Sequence, residues 1–146
     1  MVYHGFVRIP SGAFTAFEGP DAAQILPTSI NDAGDVTGEC GGDGTNHGFV
    51  RTPSGALAVF DAPNADNRLG TIALAINKTG SITGYVWDNG YGSWRGFVRS
   101  PSGTFTVFDA PDATATYANS INDGCDITGY YVDASNVYHG FLRTLH

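Results

Sequence analysis

Lysine is almost missing from this chain. Lys78 is the only one, and seven basic residues stand against fourteen acidic ones, for a net charge of −7. No basic cluster is present to neutralise phosphates, so neither nucleic acid nor an anionic membrane is an expected partner. Methionine and glutamate are just as scarce, at Met1, Glu18 and Glu39. With Lys, Glu and Met rare and glycine at 20 residues, the composition favours strands and turns over helices. No stretch carries helical apolar spacing over three turns. No apolar run approaches the ~20 residues a membrane helix needs. The opening "MVYHGFVRIP" has no basic segment followed by an apolar one, so no secretion signal is expected in this sequence. Two cysteines, Cys40 and Cys125, do not make a disulfide framework, and they occupy unmatched places in the repeat described next. A Cys40–Cys125 bond and two free buried thiols both remain open on the sequence.

What the chain does have is one phrase written several times. "HGFVRIPSGAFTAFEGP" fills 4–20, "HGFVRTPSGALAVFDAP" fills 47–63, "RGFVRSPSGTFTVFDAP" fills 95–111, and a bare "HGFLR" returns at 139–143. Between residues 47–65 and 95–113, 13 of 19 positions are identical, which marks duplication. A second phrase follows each time: "SINDAGDVTG" at 29–38, "AINKTGSITG" at 75–84 and "SINDGCDITG" at 120–129. Each unit reads as four short strands. "HGFVR" and "FTVFD" are joined by Pro-Ser-Gly turn chemistry, and "SIN" and "ITGYY" by Asn-x-x-Gly. Four strands about every 45 residues is the period of propeller blades. The expected fold is therefore all-β and propeller-like, a single repeat domain over 1–146. Its repeats run at about 4–46, 47–94 and 95–138, with a partial copy at 139–146. A β-trefoil, also built from three four-stranded units, is the alternative.

The two phrases in fixed order resemble the bacterial extracellular repeats called HAF repeats, over nearly the whole chain. The resemblance implies a propeller-like tandem array and an extracellular location. It implies no catalytic motif. One departure concerns the third Asn-x-x-Gly turn, where glycine moves to Gly124 and Cys125 stands where Gly34 and Gly80 stand in the others. A different turn geometry is expected there.

With the strands lettered a ("SIN"), b ("ITGYY"), c ("HGFVR") and d ("FTVFD"), the chain runs c-d, a-b-c-d, a-b-c-d, a-b-c. That is three blades of strands plus one extra c. Known propellers close with about four to eight blades, so closure by self-association is expected, with a homodimer of six blades as the simplest solution.

Catalysis is not expected. His4, His47 and His139 hold one repeat position, which Arg95 fills in the remaining copy, and a residue repeated with a scaffold is usually part of it. No metal or other cofactor is expected. The turns holding Asn31, Asp32 and Asp35, and Asn122, Asp123 and Asp126, offer oxygens. The middle copy reads Asn77, Lys78, Ser81, and Asx-type turn capping accounts for all three. Arg8, Arg51, Arg99 and Arg143 recur, as do Glu18, Asp61 and Asp109, and an ion-pair ladder between blades is expected from them. The stretch least like the scaffold is "YVWDNGYGSWRGF", which contains Trp87, Asp88, Asn89, Tyr91 and Trp94. Aromatic rings beside carboxylate and amide groups suit a sugar, whose apolar face stacks while its hydroxyls hydrogen-bond. These five residues are the expected ligand site. The expected function is a non-enzymatic, lectin-like binding module with glycans as partners. The alternative is a structural self-assembly repeat without a small ligand.

Overall fold

The computed structural model describes residues 1–42 and 44–144, and the backbone alone of Ala22. Residues 145–146 of the partial fourth repeat lie outside the described residues. The architecture is all-β, with thirteen strands in four small antiparallel sheets among the described residues. An N-terminal hairpin pairs β1 (Gly5–Arg8) with β2 (Phe14–Phe17). The first full sheet runs β3 (Gln24–Ile30), β4 (Val36–Gly41), β5 (His47–Arg51) and β6 (Leu57–Phe60). The second runs β7 (Thr71–Ile76), β8 (Ile82–Asp88), β9 (Ser93–Arg99) and β10 (Phe105–Phe108). The C-terminal sheet holds β11 (Ala113–Ile121), β12 (Ile127–Asp133) and β13 (Tyr138–Arg143). In the letters above, the sheets are c-d, a-b-c-d, a-b-c-d and a-b-c. Among the described residues the sole helical element is a 3-10 turn at Pro20–Ala22.

The repeated words explain the repeated geometry. Each c–d turn places Pro at its first central position and a left-handed glycine after it, with φ of 94°, 95° and 92° at Gly12, Gly55 and Gly103. This is a type I turn followed by a one-residue bulge. The a–b turn is of the same kind. The Gly34 N–H donates to the Asn31 carbonyl at 3.0 Å, and Gly80 to Asn77 at 3.1 Å. The third turn keeps this geometry. Cys125 adopts φ 64° and donates its N–H to the Asn122 carbonyl at 3.0 Å. The expectation of a different turn is corrected: the neighbouring hydrogen bonds hold a non-glycine residue in a conformation that costs it about 1–3 kcal/mol.

The glycine of "ITG" answers a close approach. Each a strand has a register break opposite it, between Pro27 and Ser29, Ala73 and Ala75, and Ala118 and Ser120. A Cβ on Gly84 would fall on the Ile72 carbonyl oxygen, and one on Gly129 on that of Tyr117. The adjacent threonine ties b to c. Thr37 Oγ1 donates to the Phe49 carbonyl at 2.7 Å, Thr83 to Phe97 at 2.7 Å and Thr128 to Phe141 at 2.9 Å.

Three apolar clusters join the sheets in chain order. Phe49 and Ile25 pack with Val7 and Phe17 of the hairpin. Phe97, Ile76 and Ile82 pack with Val50 and Phe60 of the first full sheet. Ile121 and Ile127 pack with Val98 and Phe108 of the second. The a–b turns stack alongside them. Asn31 Nδ2 donates to the Asn77 carbonyl at 3.0 Å, and Asn77 Nδ2 to the Asn122 carbonyl at 3.1 Å. The asparagine of "INxxG" therefore closes its own turn and joins it to the next. Cys40 is buried in the first cluster and Cys125 lies in its turn; both are free thiols. Burial pushes the Cys40 thiol up to about 11.

Candidate functional site

The tryptophan stretch is a tight hairpin. β8 extends to Asp88 and β9 starts at Ser93, with Trp87 directly opposite Trp94. Strand alternation places the two indoles and Tyr85 on one face, toward the C-terminal sheet, and Asp88 and Arg95 on the other. On the first face the rings form a continuous run. Trp87 meets Trp94 at 5.5 Å, Trp94 meets Tyr85 at 5.2 Å, and Tyr85 meets Tyr117 of β11 at 5.1 Å. Tyr117 stacks on Tyr130 at 4.7 Å, and Tyr130 leads to the exposed Tyr138 at 5.8 Å. Trp87 and Trp94 are both half-buried. Burial raises the pKa of Tyr85 and Tyr117.

On the second face, Asp88 is 1% exposed and engaged on several sides. Its Oδ1 accepts from the Gly90 N–H at 2.8 Å and its Oδ2 from Arg95 Nη1 at 3.3 Å. The Asn89 N–H donates to the Asn64 carbonyl at 3.0 Å, and its side chain bonds Asp66. Tyr91 is exposed, with the Arg95 guanidinium 4.1 Å from its ring centre. The five residues thus divide: Trp87 and Trp94 share a face, while Asp88, Asn89 and Tyr91 serve the turn and Arg95.

The charged residues pair differently from expectation. Glu18, Asp61 and Asp109 bind the first residue of the c strand in their own sheet, at His4 (3.0 Å), His47 (2.8 Å) and Arg95 (2.9 Å). The hydrogen bonds that Arg95 donates to Asp109 raise the Arg95 pKa. Among the described residues the arginines closing each c strand sit over phenylalanine rings and not in an ion-pair ladder. Arg51 lies over Phe17 at 4.7 Å, Arg99 over Phe60 at 4.7 Å and Arg143 over Phe108 at 4.6 Å. Each guanidinium covers the last d-strand phenylalanine of the preceding sheet. Such a contact contributes about 0.5–2 kcal/mol. Desolvation by burial pulls the Arg99 pKa down.

A cleft of about 630 Å³ opens beside His47, lined by Asp21, Cys40, Gly41, Thr45 and Val59 among others. Here Thr45 Oγ1 lies 3.0 Å from His47 Nε2, while His47 Nδ1 meets Asp61 at 2.8 Å. Hydroxyl, imidazole and carboxylate in line suit acyl transfer. Yet Arg95 with Asp109 fills the same place in the next sheet, and arginine is no general base. The position is a c-to-d side-chain contact that varies in chemistry.

The remaining unusual surface lies at the two ends, and sequence reasoning did not assign its residues. Phe49 and Phe97 are fully buried, but their counterpart Phe6 is 61% exposed, and Phe14 beside it is 64% exposed. Ile76 and Ile121 are buried, while their counterpart Ile30 is 55% exposed. At the far end, Leu142 is 70% exposed where Val50 and Val98 pack against the next sheet. Gly5, Gly48 and Gly96 each lie under the ring of a d-strand phenylalanine, and Gly140 has none over it. Among the described residues the N-terminal hairpin has c and d alone, and the C-terminal sheet a, b and c.

No protein-family model, no curated protein and no solved structure matches this chain. The resemblance to HAF repeats therefore stands on the repeated phrases alone.

Proposed function

We propose that this chain is a non-enzymatic self-assembly module of propeller type, in which two copies complete each other's end sheets to give six blades. The observation that carries this reading is the exposure of four apolar side chains at the ends: Phe6 and Ile30, whose counterparts Phe49, Phe97, Ile76 and Ile121 are buried, and Phe14 and Leu142, whose counterparts Leu57, Phe105, Val50 and Val98 are half-buried. Apolar faces of this kind on a soluble domain mark interaction sites. The extracellular setting implied by the repeated phrases belongs to the same proposal. Light scattering should give a mass of twice the 15.3 kDa chain. Phe6→Glu should return it to the monomer with its circular dichroism unchanged. A folded wild-type monomer at about 0.1 mM would overturn the reading.

A second reading, a glycan-binding module, is favoured by the half-buried indoles of Trp87 and Trp94 in the aromatic run. Trp94→Ala should abolish retention on an immobilised glycan that holds the parent, with Tm lowered by only a few degrees. Trp87 lies directly opposite Trp94, each one residue from its strand's end, so Trp87→Ala should cost a similar amount of stability. A broad glycan array without a single hit for the parent removes this reading.

A further inference from the structure

Residues 2–8 read VYHGFVR and residues 137–143 read VYHGFLR, identical at all positions except Val7 and Leu142. One copy is β1 and the other is β13, so two strands in this chain carry the sequence that suits the edge of β12. β13 occupies that edge in the register Tyr130 opposite Gly140, Gly129 opposite Phe141 and Ile127 opposite Arg143. Among the described residues no d strand pairs with it, whereas β1 is already paired to β2.

We propose that the β1–β2 hairpin of one chain docks on β12 of a second copy in the register β13 now holds, displacing β13 and completing an a-b-c-d sheet. This rests on the self-assembly reading and specifies its mechanism.

Each open group at the ends would then gain the partner its repeats already have. Gly5 would face Tyr130 and bring Phe17 as its covering ring, as Gly96 has Phe108. Phe6 would enter the place that Phe141 holds, 6.2 Å from Phe108. Arg8 lies 5.9 Å from the Phe14 ring of its own hairpin. After docking it would cover Phe108, as Arg143 does at 4.6 Å. The a and b strands supplied by β11 and β12 would cover Ile30, as the preceding sheets cover Ile76 and Ile121. Asn122 would reach the Asn31 carbonyl of the other chain, extending the stack of a–b turns.

The occupant is a second copy because the hairpin is already fixed at the opposite end. Val7 and Phe17 pack on Phe49, and the Arg51 guanidinium covers Phe17. Two full sheets separate that end from β12.

Crosslinking in the full-length chain tests this. In a background of Cys40→Ala and Cys125→Gly, two double variants are treated with a short bismaleimide. One is His4→Cys with Tyr131→Cys, and the other is His139→Cys with Tyr131→Cys. Docking predicts a covalent dimer from the first and little intrachain linkage in the second. A dimer by light scattering with only the intrachain link in the second would overturn docking while leaving self-assembly standing. A wild-type monomer would overturn both, and a first variant linked only within one chain would overturn the second-copy assignment. A proline in each competing strand gives an independent check. Gly140→Pro weakens β13 and should tighten the dimer at least fivefold, whereas Gly5→Pro should abolish it. If Gly140→Pro instead loosens the dimer, β13 is part of the interface and the exchange is wrong.

Discussion

Phe97→Ala should lower stability by about 3–5 kcal/mol, the usual cost of emptying a fully buried aromatic site. Phe97 is 0% exposed and packs with Ile76, Ile82 and Val86 from its own sheet and with Val50 and Phe60 from the preceding one. Its loss therefore weakens a sheet and the contact between sheets together. For a domain of this size the melting temperature should fall by roughly 10 °C or more. Phe6→Ala removes the same residue of the same phrase from the N-terminal hairpin. Because Phe6 is 61% exposed, the dissociated chain should lose less than about 0.5 kcal/mol. The association of two chains should fail instead. Urea unfolding at low protein concentration, with light scattering at high concentration, separates the two effects. Equal loss of single-chain stability from both substitutions would show that the repeats are not packed as described.

Gly84→Ala should be nearly as damaging, although it adds only one carbon. The new Cβ would overlap the Ile72 carbonyl oxygen and meet the Ala73 Cα at 3.0 Å. Both are backbone atoms of the neighbouring strand and cannot rotate away. The register break in β7 would have to open, and with it the buried bond from Thr83 Oγ1 to the Phe97 carbonyl. Overpacking of this kind costs about 1–3 kcal/mol, and the loss of ladder bonds should bring the total to the top of that range or beyond. Gly140→Ala is the control. Its Cβ would meet only the Gly129 carbonyl oxygen, at 4.0 Å, so thermal unfolding should shift little. A Gly84→Ala protein that melts within two or three degrees (about 1 kcal/mol or less) of the parent would contradict the close approach of β7 and β8.

Some of the candidate site was legible in the sequence and was read by the wrong rule. The c–d hairpin turns about Pro-Ser-Gly, so the first residue of c lies opposite the end of d. His47 therefore faces Asp61, and Arg51 faces Leu57. Matching residues by sign of charge led to a ladder of arginines and acids; matching them by register would have given the observed pairs. The tryptophan stretch is similar. Read as a loop, it gathers Trp87, Asp88 and Trp94 into one site. Read as strands through Asp88 and Ser93, alternation separates Asp88 from the two indoles.

The sequence by itself determined the order of the strands, the c–d turns and the two a–b turns that end in glycine. A repeated phrase with Pro-Ser-Gly and Asn-x-x-Gly at fixed places leaves local sterics little choice, and sequential strands joined by tight turns must pair as antiparallel neighbours. Phe6, Phe49 and Phe97 sit in the same local phrase, so nothing in that phrase could say that one is exposed and two are buried. Burial depends on whether another sheet lies against that face, a long-range fact that only the stacking of the sheets decides. The same holds for Arg51, Arg99 and Arg143. Each one's partner is a phenylalanine of the preceding sheet, reached through inter-sheet packing and not through strand register.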